Sequence, residues 1–203
     1  MNHNIIYVPF ITFIIQCIVA TKQQSTKKID VVKSVSKALF VSDLYKNFSR
    51  INHYSSLLVD EGLMPMLLHL MDIHLGVDDI LKTCTEAMSN LSINRKNRRE
   101  IASSGIASRL TLLFERGSAS TRAYTLLIMG NLLSSGLFYD KVANVHTISY
   151  ILDHLLDKKY PKQFAAVSYC LCQLSKVEHS CEVLVQCDVI PILLAYLRES
   201  PPV

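Results

Sequence analysis

The sequence predicts an all-α repeat protein, a helical solenoid of about four repeats that is incomplete at both ends. Three observations carry this. Apolar residues recur at helical spacing in segment after segment, and no stretch alternates with the period of a strand. Helix ends fall at Leu39, Leu91, Leu132 and Leu174, which lie 52, 41 and 42 residues apart. Short turns recur at Gly62, Gly105, Asn144 and Asp188, with gaps of 43, 39 and 44 residues. A period of about 40–47 residues is that of the two- and three-helix solenoids.

Composition agrees. Half of the 203 residues are hydrophobic and 19% are charged, a globular balance that excludes disorder. Six Gly and six Pro are few for a many-turned sheet and suit long helices. The net charge of +4 is too mild to imply nucleic acid. Six cysteines, at 17, 84, 170, 172, 181 and 187, form no Cys-x-x-Cys, and several fall at apolar helical positions. They read as small reduced core residues of a cytoplasmic chain, with a nuclear location also compatible. A zinc set of Cys170, Cys172, His179 and Cys181 can be written down, but residues two apart on a helix point away from each other. No metal and no cofactor is expected.

In chain order, residues 5–20 are strongly apolar but short of the ~20 residues that span a bilayer. Pro9 and Gln16 interrupt them, and no Lys or Arg precedes them as in a secretory signal. Tyr7-Val8-Pro9-Phe10-Ile11 lines up with Leu63-Met64-Pro65-Met66-Leu67 and Val189-Ile190-Pro191-Ile192-Leu193. All three place Pro in the first turn of a helix, where its missing N–H costs nothing. A core helix is therefore preferred over a secretory signal or a membrane anchor. In an exported chain, Asn47-Phe48-Ser49 and Asn90-Leu91-Ser92 would accept glycans, but the second lies inside a predicted helix.

Residues 26–40 carry Ile29, Val32, Val35 and Leu39 at helical spacing behind Ser25 or Thr26 as a cap. The long first gap implies an insertion from Val41 to Asn52. Leu58, Ile101 and Leu184 each stand four residues before a turn residue and anchor a short first helix. Over 77–93 the apolar set is Ile80, Leu81, Cys84, Ala87, Met88 and Leu91, one face of a helix. Arg95, Lys96, Asn97, Arg98 and Arg99 form the densest charge run and read as a solvated loop entering a short helix. Ser118 or Ser120 starts the helix that ends at Leu132. His146 and His154 flank a helix facing inward with Ile148, Ile151, Leu152 and Leu155. Pro161 opens the next, with Phe164, Val167, Cys170, Leu171 and Leu174. Tyr124, Tyr139, Tyr150 and Tyr169 are expected to be half-buried packing residues.

The short helix ending Ile101-x-x-x-Gly105, the run Gly62-Leu63-x-Pro65-x-Leu67-x-x-Leu70 and the ending Ala87-x-x-Asn90-Leu91-Ser92 together resemble the armadillo repeat. The likeness spans essentially the whole chain and is strongest over 58–135. HEAT repeats are the nearest alternative, and the Asn-Leu-Ser ending argues against them. The resemblance implies one right-handed α-α superhelix, an armadillo-type solenoid, over 1–203. Its parts are a partial repeat at 5–45, repeats at about 46–93, 94–135 and 136–177, and a partial repeat at 178–199. Ends inside repeats leave apolar faces uncapped, so a piece or short variant of a longer array is expected, or ends that a partner covers.

No catalytic constellation is present: no Gly-x-Ser-x-Gly, no phosphate-binding Gly-rich loop and no His-Glu-x-x-His. The expected function is a non-enzymatic scaffold for protein–protein interaction. In armadillo proteins the Asn ending the third helix projects into a concave groove and holds the backbone of an extended peptide. An amide suits this because it both donates and accepts. By matching position the implied partner-binding residues are Asn90, Asn131 and Gln173, with Glu86, Leu127 and Tyr169 one turn earlier. The alternative for Asn90 and Asn131 is that they tie helix ends to neighbouring turns. The chain has no Trp, so the importin-like mode of binding nuclear signals is rejected. Lys33, Lys37, Lys82, Arg122 and Lys162 against Glu86 would make the groove mildly basic. The expected partner is a protein or peptide; nucleic acid and membrane are not expected. A spacer segment of a longer array, or an RNA-binding solenoid using the Arg95–Arg99 run, are the alternatives.

Overall fold

The computed structural model of the chain describes residues 52–155 and 161–199. Eleven helices and no strand occur among them. In order they are α1 (Asn52–Asp60), α2 (Leu63–Ile73), α3 (Asp78–Ile93), α4 (Arg98–Ser103), α5 (Ala107–Arg116), α6 (Ala119–Leu133), α7 (Tyr139–Val142), α8 (Val145–Leu155), α9 (Pro161–Leu174), α10 (Glu178–Gln186) and α11 (Val189–Glu199). A 3-10 turn, Arg95–Asn97, links α3 to α4. The expectations for 5–20, 26–40, the insertion before Asn52 and the Asn47 acceptor lie outside the described residues.

The helices come in threes, a short one, a middle one and a long one. The long helices α3, α6 and α9 pack in a row, with α6 between the other two. Their apolar stripes explain this. Ile80, Leu81, Cys84, Ala87, Met88 and Leu91 of α3 are all buried, as are Val167, Cys170, Leu171 and Leu174 of α9. Leu91, Leu132 and Leu174 are each 0% exposed and mark the same level of one continuous core. Each such side chain contributes about 1.5–3 kcal/mol by leaving water.

The turns behave as their residues dictate. Leu58, Ile101 and Leu184 are buried, and four residues after each the backbone turns left-handed: Gly62 at φ 84°, Gly105 at φ 90° and Asp188 at φ 54°. Glycine enters that region without the Cβ clash that other residues meet. Pro65 and Pro191 are the third residues of α2 and α11, where an N–H has no helical acceptor. The Ser118 Oγ caps α6 by accepting from the Thr121 N–H at 3.3 Å.

The third group departs from the expected turn at Asn144. That residue is not left-handed; its Oδ1 accepts from the Thr147 N–H at 2.9 Å and caps the start of α8. The left-handed residues there are Gly136 and Phe138, and α7 is only four residues long.

Two further expectations are corrected. The Arg95–Arg99 run is not uniformly solvated. Asn97 is 3% exposed and donates to the Leu91 carbonyl at 3.1 Å, while Arg98 is 8% exposed. The Arg98 guanidinium donates to the carbonyls of Ser92 (2.7 Å) and Ile93 (3.1 Å) and to the hydroxyls of Ser134 (2.7 Å) and Ser135 (2.8 Å). One side chain thus closes the end of α3 and ties it to the turn after α6, because a cation is favoured where a helix leaves its last carbonyls. The cysteines are not all core: Cys84 and Cys170 are buried, Cys181 and Cys187 are half-buried, and Cys172 is exposed.

Candidate protein-binding face

The row of long helices brings two of the expected residues into contact. Asn131, half-buried in the last turn of α6, donates through Nδ2 to the Ser92 Oγ on α3 at 2.8 Å. Its Oδ1 accepts from the Tyr169 hydroxyl on α9 at 3.2 Å. Ser92 in turn donates to the Ser89 carbonyl at 2.6 Å. The chain of donors Tyr169, Asn131 and Ser92 therefore crosses all three helices and fixes the amide's orientation. Each amide atom has one partner and keeps capacity for a second.

Tyr169 reaches Asn131 because Gly130 precedes it. A Cβ at Gly130 would lie 2.5 Å from the Tyr169 Cδ1, so the ring rests on bare α6 backbone. Glycine inside a helix is unfavourable by about 1 kcal/mol relative to Ala, and close packing is its reason here.

Asn90 is half-buried at the end of α3, and Leu127 is half-buried on α6 against the core. Glu86 and Gln173 correct the expectation of an open ladder. Glu86 is 8% exposed and Gln173 is 6% exposed. The Gln173 Oε1 accepts from the Lys176 Nζ at 2.8 Å, and its backbone carbonyl accepts from the Tyr139 hydroxyl at 3.1 Å. Burial pushes the Tyr139 phenol above its usual range and keeps it a donor. Tyr124, Tyr139, Tyr150 and Tyr169 are all half-buried.

Of the cations expected to line a groove, Lys82 is exposed, and Arg122 is half-buried with its Nε donating to the Phe114 carbonyl at 2.8 Å. Lys33 and Lys37 lie outside the described residues, as does the side chain of Lys162. His146 is exposed, with its ring edge-on to Tyr150 at 5.9 Å. Among the described residues no three His, Cys, Asp or Glu side chains gather as a metal site. No helix among them is long and apolar enough to cross a membrane.

Ser92, Gly130 and Arg98 carry this region without having been named as site residues. Ser92 closes the Asn-Leu-Ser motif, and a Gly inside an apolar helix is itself a packing signal. Arg98 gave none, since a charge run looks solvated until its neighbours are placed.

No family model and no curated protein sequence matches the chain. Solved structures do. A designed armadillo repeat protein in complex with the peptide (KR)4 matches with a TM-score of 0.71 at 14% identity, over 94% of this chain and 79% of that one. A computationally designed armadillo repeat protein for modular peptide recognition matches with a TM-score of 0.69 at 14% identity, over 91% and 74%. The chain therefore has an armadillo-like repeat fold.

Proposed function

We propose that the armadillo-like fold of this chain is a non-enzymatic scaffold, and that the row α3, α6 and α9 holds an extended segment of a partner protein. The observation that carries this is Asn131. It stands half-exposed in the last turn of the central helix, with its amide oriented by Ser92 and Tyr169 and with a donor and an acceptor to spare. Solved proteins of similar fold are described as recognising peptides. Changing Asn90 and Asn131 together to Ala should weaken a partner recovered by pull-down while the helical circular dichroism is kept. Unaltered recovery would remove the proposal.

Two observations support the non-enzymatic reading. Burial pushes the Cys84 and Cys170 thiols up to about 12, so neither ionises near neutrality. His179 and Glu182 pair at 3.5 Å, but their side chains are 74% and 66% exposed, a solvated surface contact. Buried thiols in the core also favour a reducing, cytoplasmic setting.

A second reading, a spacer within a longer array, is favoured by α11, where Ile190 is 59% and Leu194 is 48% exposed. Such a face suits burial against further protein. RNA binding through the basic run is disfavoured because Arg98 is spent on the fold and no aromatic is interleaved for base stacking.

A further inference from the structure

We propose that α10 and α11 form a clasp that opens and closes as one unit on the row α3, α6 and α9, and that Ser180 and Cys181 set how readily it opens. The inference is independent of what the row binds.

The short helices that follow α3 and α9 are held through the same two positions. After α3 these are Asn97 and Arg98. The Asn97 Nδ2 donates six residues back to the Leu91 carbonyl at 3.1 Å, and the Arg98 Nε donates six residues back to the Ser92 carbonyl at 2.7 Å. After α9 the same spacing from Leu174 and Ser175 falls on Ser180 and Cys181.

Cys181 keeps its bond in a weaker form. Its Sγ donates to the Ser175 carbonyl at 3.2 Å, and a thiol is a poor donor. Ser180 keeps none. It is 0% exposed, and among the described residues its Oγ is the buried side-chain oxygen left without a hydrogen bond. A hydroxyl reaches one bond less far than the amide of Asn97. An unpaired buried hydroxyl disfavours the closed form against an open one in which water reaches it.

Packing points the same way. α2 and α11 are each eleven residues long with Pro third, and α2 buries six side chains. Of the side chains described on α11, only Val189 is buried. α11 packs chiefly on α10, which makes the pair one body. Toward α8 the pair is joined at Cys187, where the Ser149 Oγ lies 4.0 Å from the sulfur and the Val145 carbonyl 3.9 Å from it. Both are long contacts of a weakly polar atom. Toward α9 the link is residues 175–177, with Val177 extended at φ −119° and ψ 126°. Rotation about a few bonds there swings both helices. Opening of a unit is favoured where apolar burial and hydrogen bonding are thinnest.

The test is hydrogen exchange on the full chain, read by mass spectrometry of peptides from each helix. Amides of α10 and α11 should exchange about ten-fold or more faster than those of α3 and α6, and through one common opening. Ser180→Asn supplies the amide that Asn97 gives to α3, and Ser180→Ala removes the unpaired hydroxyl. Either should slow α10 and α11 together several-fold and leave α3 and α6 unchanged. Cys181→Ala removes the remaining tie and should speed the same amides. Protection of α10 equal to that of α6, with exchange only rising toward Glu199, overturns the clasp. Fast exchange of α10 and α11 that neither Ser180 variant slows overturns the control assigned to these positions.

Discussion

At the scale of the residue, Arg98 shows how one side chain is spent on joining repeats. Its four acceptors are two terminal carbonyls of α3 and two hydroxyls after α6. Arg98→Met should therefore cost about 2–3 kcal/mol in urea unfolding, since hydrogen bonds to charged groups are lost and buried carbonyls are left unpaired. Arg98→Lys should recover little, because a single ammonium cannot span acceptors that a planar fork reaches together. Gly130 offers a second case. Gly130→Ala drives a methyl into the Tyr169 ring and should destabilise by about 1–3 kcal/mol despite the better helix propensity. In a Tyr169→Ala background the same change should become neutral or favourable, a non-additivity that a double-mutant cycle reads directly.

At the scale of the element, ends and edges decide stability more than propensity does. Ser118→Ala removes the acceptor for the Thr121 N–H and should cost α6 about 1 kcal/mol, visible as a lower urea midpoint. Between α2 and α5 the Asp72 carboxylate and the Arg109 guanidinium form a two-pronged pair, Nε to Oδ1 at 2.9 Å and Nη2 to Oδ2 at 2.5 Å. The hydrogen bonds from Arg109 hold the Asp72 carboxyl below its usual range, against the opposing effect of burial. A depressed folded value means stability that is complete above the ordinary carboxyl range and is lost as pH falls through it. The Asp72 side chain is 45% exposed, so solvent keeps the effect under about 1 kcal/mol. Asp72→Asn should lower stability slightly at pH 7 and flatten the fall in melting temperature below about pH 4.

At the scale of the whole molecule, the repeated helices share one core and not three. Leu132 lies at the middle of the row, fully buried. Leu132→Ala should cost about 3–5 kcal/mol, the upper part of the range for a core leucine, because rigid helices on both sides resist collapse into the cavity. Thiol labelling gives an independent view of that core. Among the described cysteines, Cys172 should react first under native conditions, while Cys84 and Cys170 react only after unfolding, as peptide mapping by mass spectrometry would show.

Helix content, period and turn positions at Gly62, Gly105 and Asp188 were legible in the sequence, because apolar spacing and left-handed turn residues are local signals. So was the level of Leu91, Leu132 and Leu174, since a repeat repeats its core. Burial of Glu86 and Gln173 was not, nor the staple at Arg98, nor the seat of Tyr169 on Gly130. Each of these depends on what a neighbouring helix brings to within a few ångströms, from residues some 36–39 positions away in the chain. Alone, the sequence determined that helices form and in what order they step. Only the packed helices decided which polar groups the fold consumes and which it leaves exposed, because that choice belongs to contacts between repeats.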